Sequence, residues 1–111
     1  MAQKEIIKLK KILTDMLQRK EININKIVVF GSYVRDREDK ESDIDMIIVS
    51  KDFRDKDIFR RVALARGIHR ELVGRMKKPF DIIYCSDEEW EKGSSLIINI
   101  AKYEGEVIYG A

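Results

Sequence analysis

An α/β domain is predicted for this 111-residue chain by two observations. Helical and strand periodicities alternate along its whole length, and each strand candidate is a short apolar run bounded by turn residues. No linker, repeat or low-complexity segment interrupts the alternation, and a chain of this size supports one modest core. A single domain over 1–111 is therefore expected.

Each element has a local cause. Residues 3–20 place Ile6, Leu9, Leu13, Met16 and Leu17 on one stripe with Lys and Glu between them, which predicts an amphipathic helix. Ile27-Val28-Val29-Phe30 reads as a fully apolar strand stopped by Gly31. Ser32 is placed to cap a short helix with Arg35 a turn later, and residues 36–42 form a charged loop. Ile44 to Val49 is a second strand, broken in character only by Asp45. One longer helix is expected over about 56–76, with Ile58, Val62, Ala65, Leu72 and Met76 on one side. Pro79 closes it, because the residue before a proline avoids helical geometry. Phe80 to Cys85 is the third strand, and Ser86 with Glu89 is a capping box that opens another helix. Ser94 to Tyr103 continues or restarts that helix, and Val107-Ile108-Tyr109 adds a short last strand.

Composition narrows the class. Hydrophobic residues make up 44% and charged residues 38%, with a net charge of +2. Charge is uneven along the chain: residues 51–78 hold ten basic and four acidic side chains. That basic run is first of all a solvated helix face, though polyphosphate, RNA or an acidic partner would also suit it. No aromatic platform is interleaved with it, which argues against single-stranded nucleic acid. The single cysteine excludes an intrachain disulfide and suits a reducing cytoplasm. No apolar run reaches the roughly 20 residues of a membrane span, and the lysine-dotted N-terminus lacks a signal-peptide pattern. An intracellular, cytoplasmic domain is expected.

The chemistry concentrates in Gly31-Ser32, ten intervening residues, and Asp43-Ile44-Asp45, with Asp81 downstream in Phe80-Asp81-Ile82-Ile83-Tyr84. Alternation along a strand puts Asp43 and Asp45 on one face. A neighbouring strand carrying Asp81 would add a third carboxylate. Three carboxylates about 4–5 Å apart repel by roughly 3–4 kcal/mol per pair at an effective dielectric near 20. Such a set persists when a cation offsets it, and all-oxygen donors favour Mg²⁺ or Mn²⁺ over zinc. A pair of such ions clamps the attacking and leaving oxygens of an in-line phosphoryl displacement. Gly31 lets backbone approach a phosphate, and Ser32 offers N–H groups and a hydroxyl. Ser42 is a further hydroxyl beside Asp43, although a plain loop serine is the better reading of it. Taken singly, a Gly-Ser pair is an ordinary turn and an Asp-x-Asp an ordinary surface feature. Their order, each set against an apolar strand, carries the information.

Gly31-Ser32-x10-Asp43-x-Asp45 with a strand aspartate at 81 resembles the nucleotidyltransferase superfamily of DNA polymerase beta. The short length resembles its minimal nucleotidyltransferase (MNT) branch, with a fainter similarity in the tail from Ile97 to Tyr109. The resemblance implies a polymerase-beta-like core: a small mixed sheet with helices packed mainly on one face. It implies that Asp43, Asp45 and Asp81 are catalytic metal ligands, with Asp81 also activating the acceptor hydroxyl. Gly31, Ser32 and Arg35, with Ser42, would hold the triphosphate of ATP. The reaction implied is transfer of AMP to a hydroxyl, with Mg²⁺ or Mn²⁺ as cofactor. The frequent partner in this branch is a HEPN-domain toxin, which the MNT protein neutralises as antitoxin. One departure stands out: Val34-Arg35-Asp36 replaces the small residue and the glycine that often flank that arginine. Modification of a small hydroxylated molecule and a non-catalytic, partner-binding role are the alternatives.

Four other residues have plain explanations. His69 is a lone histidine on a helix, read as structural; Cys85 shares strand parity with Asp81 and is read as a small buried thiol. Trp90 and Tyr103 fall at helical positions suited to packing or an interface.

Overall fold

Among the described residues four short strands dominate the architecture, and the two central ones are apolar runs buried on both sides of the sheet. The computed structural model describes residues 1–31 and 43–110. Its elements are α1 (Gln3–Arg19), β1 (Lys26–Phe30), β2 (Ile44–Val49), α2 (Ile58–Leu64), α3 (Ile68–Met76), β3 (Phe80–Cys85), α4 (Asp87–Lys92), α5 (Leu96–Glu104) and β4 (Glu106–Tyr109). The strands form one mixed sheet in the order β3-β2-β1-β4. β1 runs antiparallel to both β2 and β4, while β2 and β3 are parallel.

The two sheet faces are covered unequally. On one, Ile27, Val29, Ile44, Met46, Ile48 and Phe80 pack under α1 and α3, whose Leu9, Leu13, Ile68 and Leu72 are fully buried. This is the larger core, and it holds α1, the longest of the described helices. Removing one such side chain, as in Leu13→Ala, would destabilise by about 2–5 kcal/mol. On the other face, Val28, Phe30, Ile47, Val49 and Cys85 meet Trp90 of α4 and Ile98 and Ala101 of α5. The smaller layer buries the thiol of Cys85, whose pKa burial pushes up to about 12. Cys85 does share a face with Asp81, but it is an inert filler at the far end of the strand.

The capping box at the start of α4 is present: the Ser86 hydroxyl accepts from Glu89 N–H, and Glu89 accepts from the Ser86 N–H. The single helix expected over 56–76 is instead two. Gly67, at φ +89°, takes a left-handed conformation that separates α2 from α3. That turn changes which side of the segment faces inward. Ala65, Leu72 and Met76 are buried as expected, but Ile58 and Val62 are 68% and 53% exposed. α2 buries none of its residues. The continuous stripe fails there because a period of 3.6 holds only while the helix is unbroken. None of the described helices is long and apolar enough to cross a membrane.

Candidate active site

The carboxylates meet at one end of the less covered face. Asp45 is the second residue of β2 and Asp81 the second residue of β3, and the parallel register sets them directly opposite one another. Neighbouring strands lie about 4.8 Å apart, so the two side chains rise from adjacent positions of one row. Asp43 stands one alternation upstream, exposed just before β2 begins. On the other side of Asp45 the antiparallel register places Phe30, the last residue of β1, followed by Gly31. The sheet thus brings Gly31, Asp43, Asp45 and Asp81 to one corner, although they span half the chain.

Gly31 has two physical reasons to be glycine. Its φ of +87° is strained for any L side chain, and an added Cβ would overlap the Asp45 carboxylate. The missing side chain therefore makes room for Asp45 against the β1 terminus. A close backbone approach was legible in the sequence, but the group it admits in the fold is this aspartate. Ser32, Arg35 and Ser42 lie outside the described residues.

Electrostatics marks Asp45 as the centre of the row. Its pKa is raised above the usual aspartate value by burial first, then by the charges of Asp81 and Asp43. The three acids are thus close enough to couple. Among the described residues, however, no three His, Cys, Asp or Glu side chains stand at the spacing of a ready-made metal cage. The tight triangle expected from spacing alone is an open row. All-oxygen donors on an open row fit an ion that keeps several waters and draws other ligands from phosphates, which is the habit of Mg²⁺.

Sequence alone points to a structural role for His69, and the fold gives it a specific contact. Its Nε2 lies 2.7 Å from the Phe80 carbonyl, next to Asp81. No sequence signal marks that contact, since it joins an exposed helix position to a backbone oxygen eleven residues on.

The row and its glycine turn sit together at one corner of a mixed α/β sheet. The chain belongs to the family described as "Nucleotidyltransferase domain", whose model matches residues 8–108. No curated protein sequence matches the chain. Among solved structures, a toxin–antitoxin complex with AMP-PNP is similar with a TM-score of 0.64 at 19% identity, covering 91% of this chain and 73% of that one. A tri-AMPylated HEPN toxin in complex with its MNT antitoxin, from Shewanella oneidensis, gives 0.60 at 20% identity, covering 100% and 74%. An MntA–HpeT toxin–antitoxin complex, in which two aspartates two positions apart are replaced by glutamate, gives 0.62 at 18%, covering 93% and 73%. These likenesses establish the fold.

Proposed function

We propose that this chain transfers AMP from ATP to a hydroxyl of a HEPN-type partner protein and acts as its antitoxin. The observation that carries the reading is the cross-strand row of Asp45 and Asp81, with Asp43 beside it, in a nucleotidyltransferase-domain chain. The similar complexes supply the partner and the nucleotide: one holds AMP-PNP and another an AMPylated HEPN toxin. In the MntA–HpeT complex, the replaced aspartates have the spacing of Asp43 and Asp45.

Asp43, Asp45 and Asp81 are the residues that would hold Mg²⁺ or Mn²⁺. A bound ion would supply charge neutralisation at the phosphates and at the attacking oxygen. The acceptor oxygen attacks the α-phosphorus of ATP, the bond to the β-phosphate breaks, and pyrophosphate leaves. Asp81, on the edge strand and exposed, takes the proton of the acceptor hydroxyl. Asp45, half-buried at the centre of the row, is the fixed ligand. Gly31 and Ser32, with Arg35 and Ser42, hold the triphosphate.

The test is incubation with ATP, Mg²⁺ and the partner encoded by the neighbouring gene, followed by mass analysis of the partner. A gain of one or more AMP units, lost in Asp43→Asn and Asp45→Asn, is expected. If those variants neutralise the partner as well as the parent chain does, antitoxin action does not depend on catalysis.

A further inference from the structure

Among the described residues β3 is the edge of the sheet, and its outer side lies immediately beside the proposed metal row. In the parallel ladder the Ile44 N–H donates to the Pro79 carbonyl at 2.9 Å, and the Ser50 N–H to the Cys85 carbonyl at 3.0 Å. Odd-numbered residues of β3 therefore turn their backbone groups toward β2, and even-numbered ones turn theirs outward. Two of those outward carbonyls are taken by side chains from the α2–α3 segment. His69 meets Phe80 O at 2.7 Å, and Arg61 donates to Tyr84 O at 3.0 Å. A carbonyl can only accept, so His69 carries its proton on Nε2.

The two contacts differ in what they hold. Arg61 also pairs with Glu89 at 2.6 Å, and so ties the far end of β3 to the capping box of α4. His69 grips the peptide unit that joins Phe80 to Asp81. One side of that unit is held by the imidazole, and its other side, the Asp81 N–H, faces β2 between Asp43 and Asp45. The plane of this peptide sets the direction in which the Asp81 side chain leaves the strand. Sheet-edge backbone lacks a second strand to fix that plane.

We propose that His69 is a positioning residue for Asp81: its Nε2–H to the Phe80 carbonyl aims the Asp81 carboxylate at the ion shared with Asp45. The inference rests on the metal-dependent reading of the row. Groups that orient a metal ligand without touching the metal typically change affinity or activity by about 10–100-fold when removed.

The experiment measures Mn²⁺ affinity by electron paramagnetic resonance, with a non-hydrolysable ATP analogue present, alongside thermal melting. His69→Ala is expected to weaken Mn²⁺ binding by about 10-fold or more. His69→Gln, whose amide nitrogen reaches as far as Nε2, should restore it to near the parent value. Arg61→Ala, at the other end of the same edge, should lower the melting temperature yet leave Mn²⁺ affinity within about twofold, because it holds no ligand-bearing peptide. Unchanged affinity in His69→Ala overturns the proposal, as does failure of His69→Gln to restore it. Equal weakening in Arg61→Ala reduces the contact to general stiffening of the edge. If the parent chain itself binds no Mn²⁺ with the nucleotide analogue, the metal reading falls, and the role of His69 falls with it.

Discussion

The two ends of β3 treat carboxylates in opposite ways. At its far end Asp87 receives a two-pronged pairing from Arg54, which also reaches Glu88 at 3.3 Å. Glu89 sits 2.6 Å from Arg61. The Arg54 hydrogen bond holds Asp87 below the usual carboxylate range. Burial pushes Glu89 up, but the Ser86 N–H and Arg61 outweigh it and hold Glu89 low as well. At the near end Asp45 faces Asp81 and Asp43, and burial plus both charges push it up. The first group of acids is matched with cations of the same chain, which is what structural acids look like. Among the described residues the second meets no such cation and raises the pKa of its central member, the pattern of acids arranged for a ligand.

The contrast breaks most severely in activity. Asp43→Asn or Asp45→Asn should lower the rate of AMP transfer by at least about 10²–10³-fold, the scale of losing one electrostatic stabiliser. Single-turnover assays with saturating ATP check this. Asp87→Asn at the far end should leave the rate within about twofold, because its partner is Arg54 rather than substrate. Comparable losses at both ends would erase the distinction.

Next in size is the effect of Gly31→Ala, which drives a Cβ into the Asp45 carboxylate at a φ that disfavours it. Nucleotide-dependent Mn²⁺ binding should fall by about 10-fold or more, as expected when a ligand is displaced. Calorimetric titration checks it, and parental affinity in Gly31→Ala would show that Asp45 is free to move.

Stability against pH separates the ends by sign. The folded pKa of Asp45 is raised above its unfolded value near 3.8, so its ionisation weakens the fold. In chelator, that contribution makes stability fall as pH rises from about 3.8 through the folded value. Asp87 and Glu89 have lowered folded pKa values. They add stability that is present above their unfolded values of 3.8 and 4.5, and lost as pH falls through the folded ones. Asp45→Asn should therefore remove only the decline on the alkaline side. Arg54→Ala should shrink only the loss on the acid side. Melting curves across pH 2–7 check both.

Much of this was legible before the fold. β2 and β3 announce themselves as apolar runs, and each carries an aspartate second in line, so alternation alone predicted the shared face of Asp43 and Asp45. The opposition of Asp45 and Asp81 needed the parallel register, which no local pattern fixes. Three things stayed hidden for physical reasons. Gly67 splits one helical stripe into α2 and α3, and a single glycine inside a periodic run reads as tolerated rather than as a break. The His69 contact is to backbone oxygen, which is present at every residue and so leaves no trace in residue types. The open spacing of the carboxylates was likewise invisible, because strand parity gives a face and not a distance.

The most direct test of the central claim is the melting temperature of Asp45→Asn in EDTA and again with Mn²⁺. A repulsive ligand predicts a variant at least as stable as the parent in EDTA, with Mn²⁺ then stabilising the parent and leaving the variant unmoved. A large loss of stability in EDTA would contradict the account and make the aspartates structural.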